Sequence, residues 1–184
     1  MLQRIYLWLS RLNDSTGLTW VLIVFAVLLA ALTFRSAQFH VATPDREIGY
    51  EAPYIEEFFC SDAPEPAIRF TVDKCARRRF YVATQLTLDT LFPLAYGMLL
   101  GILMVMCFPV AKGKWLVLLP VLAACFDFAE NLMLVWLACT WECGTDYPAL
   151  FGIVPWVSNA KWLLFFASCL AVVVGQFKKG PQTQ

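Results

Sequence analysis

Histidine is nearly absent from this sequence, which contains only His40, just beyond the first long apolar run. No apolar run therefore contains an imidazole, and no spacing typical of a metal site occurs among the other ligand-forming residues. We expect His40 to be a solvated residue close to a membrane surface. The sequence predicts no metal site, and it identifies neither a cofactor nor a catalytic residue.

Net charge is absent as well, because 14 basic residues balance 14 acidic ones. No basic patch is interleaved with aromatic residues, which is the pattern of a nucleic-acid-binding surface. Nucleic acid is therefore excluded as a partner. The partner classes that remain are membrane lipid, a small molecule and protein.

Apolar residues are abundant: they make up 60% of the 184 residues, and the mean hydropathy is +0.64. This is too apolar for an ordinary soluble domain, so the sequence predicts a membrane protein. Its long apolar runs predict an all-α fold, a four-transmembrane-helix bundle that forms one integral membrane domain over 1–184. The predicted transmembrane helices are 18–34, 80–108, 115–137 and 149–176.

The N-terminal segment, 1–17, is predicted to be an interfacial helix that lies on the membrane and ends in a break and cap at Asn13, Asp14 and Ser15. A basic start followed by an apolar run is also typical of a signal peptide. No small-residue cleavage site follows Leu32, so the pattern favours an uncleaved anchor.

Segment 35–79, of about 45 residues, is predicted to be an extracytoplasmic loop, because it contains eight of the fourteen acidic residues and four prolines. Within it, 54–59 could form one helical turn and 68–72 a short strand. The loop is longer than a simple connection requires. It is expected to be a small folded cap or a surface for a protein or small-molecule partner.

Four cysteines fall on one side of this layout: Cys60, Cys75, Cys139 and Cys143. An even set on one face is typical of an oxidising compartment, so we expect both termini in the cytoplasm, with a bacterial inner (plasma) membrane as the location. Four cysteines allow three pairings. The simplest joins Cys60 to Cys75 and Cys139 to Cys143.

The third span contains Asp127, Glu130 and Asn131, which share one helix face at spacings of three and four residues. Ionised side chains near the bilayer centre cost about 2.5–3.5 kcal/mol each on insertion scales, so they usually face other helices and serve a function. This polar face is the candidate site. A polar network that only fixes helix packing is the alternative interpretation.

The neighbouring spans contain polar residues at similar depths. Gln85, Asp89 and Tyr96 share one face of the second span, where Pro93 cannot donate a hydrogen bond to the carbonyl of Asp89. Counted at about 1.5 Å per residue, Asp89 and Glu130 lie roughly 13 Å below the outer boundary, with Asp127 and Lys161 at roughly 18–19 Å. We expect these side chains to meet, with Lys161 neutralising Asp127 and Asn131 donating to another carboxylate.

Three functions follow from these patterns. The polar site favours a protein that binds or moves a small molecule, a lipid headgroup or a proton. A structural or assembly subunit of a membrane complex would need only an external surface. A membrane thiol-disulfide oxidoreductase would use the cysteines. Separately, Ser158 and Lys161 fit the Ser-x-x-Lys pattern, in which a lysine could deprotonate a nucleophilic serine.

In layout, four spans with cysteines on the outer side resemble the membrane thiol oxidases that pass electrons from disulfides to quinone. Those families carry a Cys-x-x-Cys pair, whereas Cys139 and Cys143 are separated by three residues. A long first loop with a possible disulfide resembles claudin-type junction proteins, but the Trp-Gly-Leu-Trp signature of that loop is absent. Neither resemblance assigns a role to a residue of this chain.

Overall fold

The structure, a computed structural model, describes residues 1–36, 50–60, 74–146 and 148–178. Every regular element in these ranges is an α-helix, and the helices are α1 (Leu2–Arg11), α2 (Ser15–Ser36), α3 (Ala52–Cys60), α4 (Lys74–Leu86), α5 (Leu88–Cys107), α6 (Val110–Leu116), α7 (Leu118–Thr140) and α8 (Leu150–Lys178).

Four helical segments in the described residues are long and apolar enough to cross a membrane: Thr16–Arg35, Arg77–Cys107, Val110–Thr140 and Leu150–Phe177. This confirms the predicted helical fold and the four candidate spans. His40 and the predicted strand at 68–72 lie outside the described residues.

At the second predicted span, 80–108, the helix begins earlier in the structure, at Lys74, and is interrupted at Thr87, which separates α4 from α5. At this break the hydroxyl of Thr87 donates to the carbonyl of Ala83 at 2.6 Å, and the hydroxyl of Thr90 donates to the carbonyl of Gln85 at 2.8 Å. Side-chain hydroxyls can thus satisfy carbonyls that lose their backbone donors. The break lies before Asp89, and α5 stays helical through Pro93.

At the third predicted span, 115–137, the helical region extends further in both directions, since α6 and α7 together cover 110–140. Lys112 and Lys114, which fall between the second and third predicted spans, lie within α6. Lysine is compatible with a helical backbone even where it interrupts an apolar run. The connection between the second and third spans is reduced to residues 108–109.

Helix α1 packs across this connection through its buried residues Tyr6 and Leu9. The hydroxyl of Tyr6 donates to the carbonyl of Phe108 at 2.8 Å. A Cβ atom at Gly101 would lie 2.9 Å from a methyl of Leu9, and one at Gly113 would lie 2.6 Å from the ring of Tyr6. The absence of side chains at these two glycines therefore lets α1 approach closely.

The break predicted after α1 is confirmed. Helix α1 ends at Arg11 and α2 begins at Ser15. The carboxylate of Asp14 accepts a hydrogen bond from the backbone N–H of Gly17 at 2.7 Å, which satisfies a donor at the start of α2.

Helix α3 covers the opposite end of the long helices, which we call the α3 end. It is longer than the single turn predicted at 54–59 because Phe58 and Phe59 are fully buried against Tyr81 of α4, with ring centroids 5.1 and 5.4 Å apart. Trp141 at the end of α7 and Phe151 of α8 belong to the same buried cluster. The start of α4, the end of α7 and the start of α8 therefore meet beneath α3.

A disulfide joins Cys60, the last residue of α3, to Cys143 in the connection between α7 and α8. Cys75 and Cys139 are exposed and lie outside this bond. The simplest predicted pairing, with its second disulfide, is therefore wrong. The reason is spatial: α3 folds onto the end of α7, which brings Cys60 to Cys143 although 83 positions separate them in the chain.

Candidate functional site

A buried ion-pair cluster lies where α7 and α8 pack together. Glu130 is completely buried, and Asp127 and Lys161 are buried as well. The amine of Lys161 contacts Oε2 of Glu130 and lies 3.5 Å from Oδ1 of Asp127. The sequence prediction paired Lys161 with Asp127 alone, whereas in the structure it lies between two carboxylates and nearer to Glu130.

Each carboxylate also receives a hydrogen bond from a tyrosine. The hydroxyl of Tyr50 donates to Oε1 of Glu130 at 2.8 Å, and the hydroxyl of Tyr96 donates to Oδ2 of Asp127 at 3.1 Å. We call these five residues, Tyr50, Tyr96, Asp127, Glu130 and Lys161, the charged cluster. These hydrogen bonds to the two carboxylates help to offset the desolvation of buried charge.

Asn131 lies beside the cluster but does not donate to a carboxylate, as the sequence prediction proposed. Its Nδ2 donates to the backbone carbonyl of Asp89 at 3.0 Å. This carbonyl is the one that Pro93 cannot satisfy, because proline has no N–H. Asn131 therefore binds α7 to α5 at the point where the helical hydrogen-bond pattern is incomplete.

A cavity of about 420 Å³ opens beside the charged cluster, between α2, α5, α7 and α8. Its apolar walls are formed by Phe25, Leu29, Leu32, Phe92, Trp162 and Phe165. Its polar lining consists of Asp89, Tyr96, Asp127 and Lys161. The volume falls within the range of small-molecule sites, which combine mostly apolar walls with a few polar groups.

One wall of the cavity is formed by α2, the least buried of the four candidate spans. Helix α2 packs mainly against α5, whereas α8 packs against both α7 and α5. Only a small part of α2 is buried within the protein, and large side chains such as Leu22 and Val27 are exposed. The α2 wall is thus the least enclosed side of the cavity.

Among the described residues, three carboxylates and two cations lie in or next to the cavity lining. Asp89 interacts electrostatically with Arg35 at the end of α2, whose guanidinium also lies 3.9 Å from the ring centroid of Phe80. Lys161 must serve both Asp127 and Glu130. Three acidic groups therefore share two cations, which leaves one negative charge when all are ionised.

Two residues singled out in the sequence lie apart from these contacts. The side-chain amide of Gln85 is 1% exposed and makes no hydrogen bond within the described residues. The buried hydroxyl of Ser158 likewise has no hydrogen-bond partner there. Since the amine of Lys161 is held by carboxylates, Ser158 and Lys161 do not form the nucleophile and base that their spacing would allow.

Sequence reasoning missed Tyr50 and Arg35. Tyr50 lies in a segment without helical periodicity, and nothing local connects it with Glu130, which is 80 positions further along the chain. Arg35 ends an apolar run, so it is interpreted as a boundary marker. Their contacts depend on how the helices pack, which the sequence pattern does not specify.

Comparisons with known proteins place the chain in no family: no family model matches it, and neither a curated protein nor a solved structure matches it significantly.

Proposed function

We propose that this protein is a polytopic membrane protein that binds an amphipathic small molecule or lipid in the cavity between α2 and α8. The observation that carries this proposal is the combination, in one cavity, of aromatic walls with Asp89, Asp127 and Lys161 at the polar side. An apolar chain or ring would pack along the walls, and the polar head would contact the carboxylates.

The charge balance favours a head that is cationic or donates hydrogen bonds. In the part of the chain that the structure describes, the three acidic groups named above carry one charge more than Lys161 and Arg35, so a bound ammonium group would add a compensating positive charge. A proton bound to one carboxyl group would do the same in the absence of ligand. Binding or movement of the ligand can thus be linked to a proton at the same site.

The proposed arrangement in the membrane is a bundle of four spanning helices, with the α3 end on the extracytoplasmic side. Both termini would then lie in the cytoplasm of a bacterial cell, beneath the inner (plasma) membrane. The disulfide at the α3 end supports this orientation because such bonds persist in oxidising compartments. A protein partner for the 35–79 loop remains a prediction.

The orientation can be tested in a variant whose exposed Cys75, Cys125 and Cys139 are changed to serine. One new cysteine is then placed at an exposed position of either end, by Asp146→Cys or by Lys112→Cys. A membrane-impermeant maleimide should label Asp146→Cys in intact cells and Lys112→Cys only after permeabilisation. The reverse pattern, or equal labelling, would contradict the orientation.

Ligand binding can be tested with three probes of equal chain length: octylamine, octanol and octanoate, each below its micelle concentration. Octylamine should raise the thermal unfolding temperature most and octanoate least. Asp127→Asn should remove the advantage of the amine, whereas Leu163→Ala, a change at an exposed position of α8 outside the cavity lining, should preserve it. Equal effects of all three probes would contradict a polar-headed ligand site.

A further inference from the structure

A second chemically distinctive group lies at the α3 end, remote from the cavity lining. The guanidinium of Arg78 contacts both sulfurs of the disulfide: Nη2 lies 3.0 Å from Sγ of Cys143 and 3.6 Å from Sγ of Cys60. A neutral disulfide sulfur is a weak acceptor and gains little from a cation. A thiolate at the same place would form a charge-assisted hydrogen bond.

The position of this guanidinium is fixed by two backbone carbonyls. Nη1 of Arg78 donates to the carbonyl of Trp141 at 2.7 Å, and Nε donates to the carbonyl of Phe59 at 3.3 Å. These carbonyls belong to the residue before Cys60 and to the residue two positions before Cys143. The same segments that carry the sulfurs therefore orient the cation toward them.

Two further thiols lie within electrostatic reach of the same guanidinium. Arg78 interacts electrostatically with Cys75 and Cys139, both of which are exposed. Cys143 is exposed and Cys60 is half-buried, so the disulfide is accessible from solvent. All four cysteines of the α3 end thus lie around one positive charge.

We propose that the Cys60–Cys143 disulfide is a thiol–disulfide exchange site, in which Arg78 stabilises the thiolate that leaves when an external thiol attacks. The substrate class is a small or peptide thiol that reaches the α3 end. This site is independent of the function proposed for the cavity.

The attacking thiol loses its proton to solvent, and its thiolate bonds to Sγ of Cys60 while the bond between Cys60 and Cys143 breaks. Cys143 leaves as a thiolate beside Nη2 of Arg78. When the attacking molecule is a dithiol, its second thiolate releases Cys60, so that the dithiol loses two electrons and the protein disulfide gains them.

The test measures how fast reduced glutathione opens the disulfide in the purified, folded protein, with free thiols trapped by a mass-tagged maleimide. Arg78→Lys keeps the positive charge, Arg78→Gln keeps hydrogen-bonding capacity without charge, and Arg79→Gln removes a neighbouring exposed arginine as a matched control. The charge-neutral variant should react at least about tenfold more slowly than the wild type, whereas Arg78→Lys and Arg79→Gln should stay within about threefold.

Equal slowing by Arg78→Lys and Arg78→Gln would overturn the proposal, since packing rather than charge would then explain the effect. The wild type supplies an independent measurement if Arg78→Gln does not fold. Its disulfide should react at least as fast in the folded protein as in denaturant, although Cys60 is half-buried. Folded protein that reacts tenfold or more slowly would identify a purely structural disulfide.

Discussion

The side-chain amide of Asn131 donates a hydrogen bond to the backbone carbonyl of Asp89 at 3.0 Å, across the contact between α7 and α5. Pro93 leaves this carbonyl without its helical donor. Asn131 therefore supplies the hydrogen-bond donor that the backbone N–H of a non-proline residue at position 93 would supply. The two helices are joined at a position that also lines the cavity, because the side chain of Asp89 faces it.

We predict that Asn131→Ala lowers the free energy of unfolding by about 1–3 kcal/mol, because a buried carbonyl loses its donor. In a Pro93→Ala background the backbone N–H of residue 93 can bond to this carbonyl, so the same change should cost less than about 1 kcal/mol. Denaturant unfolding of the four proteins in detergent measures the coupling. Strictly additive effects would show that Asn131 and Pro93 act independently.

Lys161→Met should be strongly destabilising, by about 3–5 kcal/mol, since it leaves two carboxylates buried without a cation. Adding Glu130→Gln should restore more stability than adding Asp127→Asn, because Lys161 contacts Glu130 more closely. The comparison uses the same unfolding assay on the two double variants. If Asp127→Asn gave the larger recovery, the dominant ion pair would be the one between Lys161 and Asp127.

Tyr50→Phe removes a hydrogen bond to a buried carboxylate and should lower the free energy of unfolding by about 1.5–3 kcal/mol. The ring and its packing remain. In a Glu130→Gln background the cost should be smaller, because the acceptor is then neutral. A cost that does not change with the acceptor would mean that Tyr50 acts through packing.

The sequence was sufficient to predict the helical fold and the polar face of α7, because both depend on local periodicity. Asp127 and Glu130 are three residues apart, and any regular helix brings them to one face. The contact of Tyr50 with Glu130 and the pairing of Cys60 with Cys143 depend on the docking of α3, which has no local signal. The break at Thr87 was missed because no glycine or proline marks it in residues 84–90, and threonine hydroxyls can satisfy the carbonyls that lose their backbone donors there.

Leu29→Trp should fill part of the cavity and remove the stabilisation by octylamine, with little effect on the unfolding temperature in the absence of probe. Leu29 lines the cavity and is partly exposed, so the larger side chain has room. Leu22→Trp, on the same helix but outside the cavity lining, is the matched control and should bind the amine like the wild type. Loss of the stabilisation by octylamine in both variants would show that a larger side chain anywhere on α2 has this effect, and that filling the cavity is not its cause.

The hydroxyl of Tyr6 lies outside the spanning helices, and burial raises its pKa above the ordinary value. The folded protein therefore keeps this proton to a higher pH than the unfolded chain, whose tyrosines ionise near pH 10. The stability that Tyr6 contributes is complete below about pH 10 and decreases as the pH rises from there toward the folded pKa. Tyr6→Phe should cost about 0.5–1.5 kcal/mol at pH 7. The difference between wild type and variant should shrink between about pH 10 and 11, and a constant difference would contradict this.

The hydrogen bond between Tyr50 and Glu130 has a consequence for loop grafting. A chimaera that exchanged the segment between α2 and α4 as an independent module would remove the donor to a fully buried carboxylate, together with the cysteine that anchors α3. Residues 50–60 would therefore have to be exchanged together with the helices that they contact. Any transplanted loop would have to supply its own hydrogen-bond donor to Oε1 of Glu130.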